Sequence, residues 1–534
     1  MFWFLRDIDL LSVLARAAAL SLEALLLGGV AFLLGVARPP TASGVVERSC
    51  RNYIQIAALA LICAELMVVS TTSFLLMSGS DFGLKDVLTT GFFRADTCAI
   101  LFALGIGISA RYKSTKATTA ILLLSLALMA AVVSTSHAAA RIDHRVVMAI
   151  LTAAHHLGTA AWLGALPYLL ISLSRAETVD EARRLTERYS RMALLGASTL
   201  VLAGAGLAWC YVGSWSGVYG TTYGVMVVAK VCLFLVMAGL GAGNWFLVRR
   251  LAREPEPLLA RLRRVGEAEI ALGFLALLTA ASLTSQPPAV DVAFQGRPTL
   301  GEIYARMHPE PPRMTSPPLA ALAPPGSITV AVQESQFVAT VGSDTNDKEW
   351  SEYNHHWAGL IVLIAGLLAL ISRHRWAHWA RFWPLSFVGL AVFIILRADP
   401  ENWPLGPRPF WQSFSAPDVL QHRFGAILVL VFAAFECAVQ AGKLRTRWAT
   451  YVFPAMCALG AAMLLTHEHS PTDPKQALLA EMSHTSIALV GITAGWGRWL
   501  ELRLPACRMA TLSGYLSPLC LTVVGLILLN YREI

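Results

Sequence analysis

Residues 118–137 read TTAILLLSLALMAAVVSTSH. The run holds no acidic residue, lysine or arginine, and its length matches the roughly 20 apolar residues that one helix needs to cross a bilayer core. Arg111, Lys113 and Lys116 stand before it and His137 closes it. The pattern recurs at 11–36, 54–79, 93–110, 146–173, 192–213, 223–248, 267–285, 357–372, 382–397, 420–442, 449–466, 478–497 and 511–530. The whole chain shares this character: its 534 residues are 56% hydrophobic and 14% charged, with a mean hydropathy of +0.58. Soluble chains carry about 25% charge. The composition excludes a soluble enzyme, a disordered scaffold and a secreted disulfide protein. It predicts an all-α polytopic membrane protein with fourteen transmembrane helices. The first stretch is too long for a cleavable signal peptide, and its basic residues follow it rather than precede it.

Lysine and arginine gather in alternate connections, as they do in cytoplasmic loops. One set holds Arg38, Arg48 and Arg51, then Arg111, Lys113 and Lys116, then five arginines from Arg175 to Arg191 and six from Arg249 to Arg264. Beyond these come Arg373, Arg375 and Arg381, then Lys443, Arg445 and Arg447, then Arg498, Arg503 and Arg508. Together they make 26 of the 42 basic residues. The net charge of +8 then belongs to these loops rather than to a nucleic-acid surface. The alternation places both termini on the outer side of the membrane. It gives an eight-helix unit (1–285), a proline-rich outer loop (286–356) and a six-helix unit (357–534). The loop is strand-like at 327–341 but too short and proline-broken for a domain of its own, so it reads as a partly ordered cap.

The histidines are one-sided on this topology. Of thirteen, only His374 and His378 fall in a cytoplasmic loop. His137 and His144 flank the connection between the fourth and fifth spans, and His155 and His156 lie inside the fifth. His308 is in the long loop, His355 and His356 open the ninth span, and His422 opens the eleventh. His467 and His469 close the twelfth, and His484 lies inside the thirteenth. Several have a carboxylate three or four residues earlier, on the same helix face: Glu352 before His355 and His356, Asp418 before His422, Glu481 before His484. Glu468 stands between His467 and His469. Imidazole with carboxylate or thioether suits copper, zinc or iron, and a carboxylate behind the ring can instead fix its tautomer. Met307, Met314 and Met482 add soft sulfur on the same side. The plainer reading of any single pair is a helix cap or interfacial anchor, at near even odds. It weakens for His155 and His156, since polar groups inside a membrane face a partner or a cavity. Neighbouring helix residues diverge by about 100 degrees, so one of the two points at a site.

Other charges fall within spans: Arg16, Glu23, Glu65, Asp96, Lys230 and Glu436. Arg16 and Glu23, seven apart on one face, read as a structural pair. Glu65 and Lys230 line an ion path in one reading and form structural pairs in the other. The nine cysteines form no C-x-x-C motif and read as neither a disulfide framework nor a zinc ribbon.

The stretch His155-His156-Leu-Gly-Thr-Ala-Ala-Trp162-Leu-Gly164-Ala-Leu resembles the histidine-to-tryptophan-glycine signature of the bacterial copper resistance protein D (CopD) family. Tyr189-Ser-Arg-Met-Ala-Leu, Thr222-Tyr223-Gly224 and Lys230 follow in the family's order. The resemblance covers residues 10–285. Tyr353-Asn-His355-His356-Trp-Ala-Gly, Arg397-Ala-Asp-Pro-Glu-Asn-Trp-Pro-Leu-Gly406-Pro and Leu420-Gln-His422-Arg resemble the extension of longer members. The family's two glycines after the tryptophan are here Leu163 and Gly164. The resemblance implies a protein of the bacterial inner (plasma) membrane, its outer termini then periplasmic, that handles copper, as Cu(I) or Cu(II), in uptake or tolerance.

These readings combine into a copper-binding transporter rather than an enzyme. Outer histidines (His137, His144, His355, His356, His422, His467, His469 and His484, with Glu481) collect the ion, and it passes His155 or His156 along a path with Glu65, Lys230 and Trp162. No phosphate loop, phosphorylated-aspartate motif or C-P-C span is present, so an ion gradient or proton coupling, with Glu65 or Glu23 as carrier, is the expected drive. The competing reading is a membrane oxidoreductase with haem or a di-metal centre between helices; His156 with His484 is the haem pair to nominate. A copper sensor or assembly partner is the third. The expected partners are the lipid bilayer and a periplasmic copper carrier, with no nucleic acid.

Overall fold

The computed structural model describes residues 4–38, 41–79, 83–250, 255–284, 286–293, 297–318, 343–400, 402–413, 417–465, 474–504 and 508–532, with the backbone alone at 4–10, 249–250, 255–260, 343–347, 413, 417–418, 421, 447, 462, 465, 474–477, 479–481 and 508–509. His467, His469 and the strand-like 327–341 lie outside the described residues. The named elements are all helical. The chain forms two units, Asp7–Ala293 and Phe294–Ile534, the second taking in Met1–Arg6.

The first unit holds α1 (Phe4–Gly35), α2 (Gly44–Gly79), α3 (Gly91–Ser109), α4 (Thr115–Ser134), α5 (Arg145–Arg175), α6 (Val179–Val212), α7 (Thr222–Arg250) and α8 (Pro255–Thr284). The second holds α9 (Ser343–Ile371), α10 (Leu385–Arg397), α11 (Pro417–Gln440), α12 (Val452–Leu465), α13 (Pro474–Arg503) and α14 (Arg508–Leu529). Among the described residues, twelve helical spans are long and apolar enough to cross a membrane; α12 falls in the shorter class, and α13 is not among the twelve. The chain is a multi-pass membrane protein. α13 carries Glu481, His484, Arg498 and Glu501, which lower its apolar character. α9 begins well before its apolar run, so the end of the expected long loop is helix.

Helix starts follow ordinary capping. The Ser114 hydroxyl accepts from the Ala117 N–H (3.2 Å) and the Thr178 hydroxyl from the Glu181 N–H (3.1 Å). α5 is broken by a π-helical turn at Ala160–Gly164, where the Ala165 N–H donates to the Ala160 carbonyl at 2.9 Å. Pro167 follows, and it has no N–H for the Leu163 carbonyl, so the regular ladder cannot run straight through this segment.

Close helix approach in a membrane depends on small residues. A Cβ on Gly28 of α1 would lie 2.5 Å from the Ala160 carbonyl oxygen, and one on Gly164 would lie 2.5 Å from the Ala24 carbonyl carbon. α1 therefore crosses the π turn backbone against backbone. In the second unit, Gly366 of α9 faces Thr522, and Gly525 of α14 faces Leu363, with equally little room. The core of the first unit includes Leu26, Phe32, Ile54, Ile106, Ile121, Tyr168 and Leu185. That of the second is aromatic, with Trp383, Phe387, Phe432 and Phe453 in mutual ring contact. A charged network closes one part of it. Glu501 pairs with Arg373 and with Arg498 (2.8 Å), and Arg498 reaches Glu436 at 3.4 Å.

Candidate metal centre

The two adjacent histidines of α5 face different helices. His156 turns toward α1, where its Nδ1 stands 3.0 and 3.2 Å from the two carboxylate oxygens of Glu23. Glu23 is 3% exposed, so this carboxylate is held inside the unit. Its acceptor oxygens fix the proton on Nδ1 and leave the lone pair on Nε2. The His156 side chain remains 22% exposed. His155 turns toward α6. Its ring lies 3.4 Å from the position a Cβ would take on Gly204, with the Leu200 carbonyl in reach. Its Nδ1 is buried with no hydrogen-bond partner. Lys230 of α7 is within electrostatic reach of both rings.

The signature tryptophan sits one turn on. Trp162 is 4% exposed in the π turn, with its ring edge-on to Phe234 at 5.8 Å. Its carbonyl accepts from the Tyr189 hydroxyl at 2.8 Å, and Glu269 of α8 lies nearby. The Asn244 amide of α7 donates to the same carboxyl at 2.5 Å. Trp162, expected along an ion path, is a packed hub joining α5 to α6, α7 and α8. Glu269 and Asn244 were missed from sequence. Glu269 opens the eighth apolar run, where a carboxylate reads as flanking rather than intramembrane.

Glu65 of α2 is 7% exposed, and Asp96 of α3, Glu23 and Arg16 are its electrostatic neighbours. The expected Arg16–Glu23 pair is not formed: Glu23 is taken by His156, and Arg16 acts on Glu65 and Asp96 instead. A histidine on a facing helix wins over a charge two turns away on the same helix.

In the second unit His355, His484 and Tyr531 gather. His355 stacks on Tyr531 with centroids 3.9 Å apart, and each lies 6.1 Å from His484. The His355 Nδ1–H donates to the Ser351 carbonyl at 2.8 Å, placing its lone pair on Nε2. The Arg306 guanidinium covers the other face of Tyr531 at 5.2 Å. His356 differs from the expected ligand. Its Nδ1 accepts from the Arg313 N–H (2.7 Å) and its Nε2–H donates to the Tyr531 carbonyl (2.8 Å), which commits both ring nitrogens to backbone. Glu352, expected beside His355, bridges to the Arg313 guanidinium at 3.4 Å. His422 is oriented by Asp399 (Nδ1 to Oδ1, 2.8 Å), a residue of the Arg397-Ala-Asp stretch far from it in sequence.

His137 and His144 stand apart from these groups. The His137 Nε2–H donates to the Thr284 carbonyl at 3.1 Å, and its ring is edge-on to Tyr211. Burial lowers its affinity for a second proton below the ordinary imidazole range, against the pull of that hydrogen bond. His144 caps α5 with a left-handed backbone (φ 54°). Among the described residues no group of three or more His, Cys, Asp or Glu is assembled to hold a metal ion. The ligand sets present are single oriented imidazoles, and the His156–Glu23 pair has the carboxylate–histidine arrangement that metal ligands use.

Residues 183–283 match the family model of copper resistance protein D. The match takes in Tyr189, Thr222-Tyr-Gly and Lys230, and begins after the His155–Gly164 signature. Over 180 residues the chain is 28% identical to the copper transport protein CutJ of Bacillus subtilis (strain 168), covering 33% of this chain. The aligned part spans 32% of that relative's length. No solved structure matches. The chain is thus a multi-pass membrane protein whose residues 183–283, within α6, α7 and α8 of its first unit, match the copper resistance protein D model.

Proposed function

We propose that this protein transports copper across a bacterial inner membrane, with uptake from the periplasm as its direction. Fourteen spans, both termini outside and an outer 286–356 loop are the topology that goes with this reading. The observation that carries it is His156: a carboxylate buried behind Nδ1 orients the ring, the arrangement that metal-ligating histidines use. His156 and His155 are proposed as the copper-contacting residues of the first unit, at the crossing of α1 with the π turn. π turns of this kind recur at functional sites. Oriented imidazoles at His355 and His422, and the His484 ring beside His355, are proposed as the outer collecting groups of the second unit, with His467, His469 and Glu481 as further candidates. The family match and the relative named a copper transport protein support the choice of metal.

Copper accumulation in proteoliposomes tests the reading. The purified protein should load vesicles with copper, and the double variant H155A/H156A should still fold but lose most of that uptake. Uptake equal to the unaltered protein would count against passage at His156. A Soret band or tightly bound iron in the purified protein would instead point to the oxidoreductase.

A further inference from the structure

The connection between α9 and α10 in the second unit carries a three-residue period. The N–H groups of Ala377, Ala380 and Trp383 donate to the carbonyls of His374, Ala377 and Ala380 at 3.1, 2.9 and 3.0 Å. The run ends in a 3-10 turn, His378–Phe382. Such a period stacks side chains i and i+3 into rows. The row Ala377, Ala380 and Trp383 is buried, and Trp383 anchors it on Phe432 of α11 and Phe453 of α12. The row Trp376, Trp379 and Phe382 is left outside, 73, 61 and 39% exposed. The row Arg375, His378 and Arg381 is exposed beside it. α9 ends at Ile371 and the next apolar span begins at His378, so both rows lie at the boundary of the membrane core. Tryptophan at that depth sits among lipid headgroups, with its ring toward the acyl chains and its N–H toward water.

The charge of this surface is unanswered by the protein. No acidic residue occurs from 373 to 398 or from 437 to 467. Glu436 and Glu501, the acids packed at this end of the unit, are taken up by Arg498 and Arg373. Arg373 thus belongs to the fold, while among the described residues Arg375 and Arg381 have no ion-pair partner. The guanidinium of Arg381 covers only the ring of Phe382 next to it, at 4.8 Å. The connection between α11 and α12, whose flanking helices both touch Trp383, repeats the combination. Lys443 and Arg445 are exposed, and Trp448, 61% exposed, rests edge-on against Phe435 at 5.8 Å.

We propose that these two connections form a binding surface for anionic phospholipid. Arg375, Arg381, Lys443 and Arg445 meet the phosphates, and Trp376, Trp379 and Trp448 seat among the headgroups and upper acyl chains. Guanidinium forks pair with phosphate oxygens in a fixed geometry, and basic segments flanking a membrane helix bind anionic leaflets. Free phosphate would leave the aromatic row bare, and a zwitterionic lipid would leave the cations without counter-charge, so an anionic lipid is the occupant that satisfies both rows. The inference does not depend on copper transport.

The test gives the purified full chain equal amounts of phosphatidylglycerol and phosphatidylcholine with the same acyl chains. Native mass spectra should show phosphatidylglycerol retained in preference. Each basic side chain at the leaflet surface is worth about fivefold in binding. R375Q/R381Q should therefore hold phosphatidylglycerol about 25-fold more weakly, with its melting point kept, since neither side chain is paired within the fold. R261Q/R263Q removes two exposed arginines at the start of α8 and should retain the lipid. In vesicles, phosphatidylglycerol brominated on its acyl chains should quench the part of the tryptophan emission that W376F/W379F removes. Equal retention of the two lipids, or an equal loss in R261Q/R263Q, would reduce the basic row to general surface charge and overturn the proposal. An unquenched Trp376 and Trp379 would put the aromatic row in water or against a protein, which overturns it as well.

Discussion

Replacing Gly164 by alanine probes the first unit without touching a titratable group. The new Cβ would stand 2.5 Å from the Ala24 carbonyl carbon and overlap its oxygen, where ordinary carbon contacts lie at about 3.5–4 Å. Both sides are backbone, so α1 must retreat by about 1 Å or more. Glu23 is the residue before Ala24, and its hydrogen bonds to His156 at 3.0 and 3.2 Å would then pass beyond bonding distance. Overpacking of this kind costs about 1–3 kcal/mol, and a lost hydrogen bond to a charged group adds about 1.5–3 kcal/mol. A total of about 3 kcal/mol is therefore a conservative expectation. Thermal unfolding in detergent reads the stability, and metal analysis of the same sample reads copper retention; both should fall. Gly239→Ala is the control, since its Cβ meets nothing within 4 Å. Equal melting and copper content in G164A and G239A would refute the account of the α1–α5 crossing.

Three further outcomes follow from other contacts. Glu23→Gln removes the charge behind His156 while keeping its shape, and copper affinity measured by chelator competition should drop about 10–100-fold; an unchanged affinity would mean that the pair only packs. His356→Ala should lower the melting point of the second unit, because it orphans the Arg313 N–H and the Tyr531 carbonyl at about 1–3 kcal/mol each. Copper content should stay unchanged, and a parallel copper loss would show that His356 ligates after all. The lowered proton affinity of His137 makes its neutral form the stabilising one. That contribution is complete above the ordinary imidazole value of about 6.5 and is lost as the pH falls through the lower folded value. Melting curves of His137→Gln should therefore depend less on pH below about 6.5 than those of the unaltered protein, and identical slopes would remove His137 from the acid response.

Helices were legible because a bilayer demands long apolar runs, and 118–137 announces itself without any partner. Which way a side chain faces within such a run was not legible. His155 and His156 are equivalent in the sequence, and only the crossing of α1 over Gly164 gives one of them a carboxylate. Helical spacing suggested Glu352 for His355 and, for His422, Asp418, whose side chain lies outside the described residues. The structure gives His422 a partner 23 positions away, Asp399, and gives Glu352 to Arg313. Local periodicity places residues on a face, while the neighbour of that face is set by tertiary packing. The same limit hid Glu269 and Asn244, whose roles exist only where α7, α8 and the π turn meet. His356 looked like a ligand for the reason it is buried: both its nitrogens serve backbone groups that the sequence cannot pair.

Copper content of the purified full-length protein, with and without His156→Ala, tests the central claim most directly. Metal analysis with a visible spectrum of the same sample should find copper and no Soret band, and H156A should lose its copper while still folding, with a melting point lowered by the loss of the bond to Glu23. Copper content unaltered by H156A, or iron with a Soret band in its place, would contradict it.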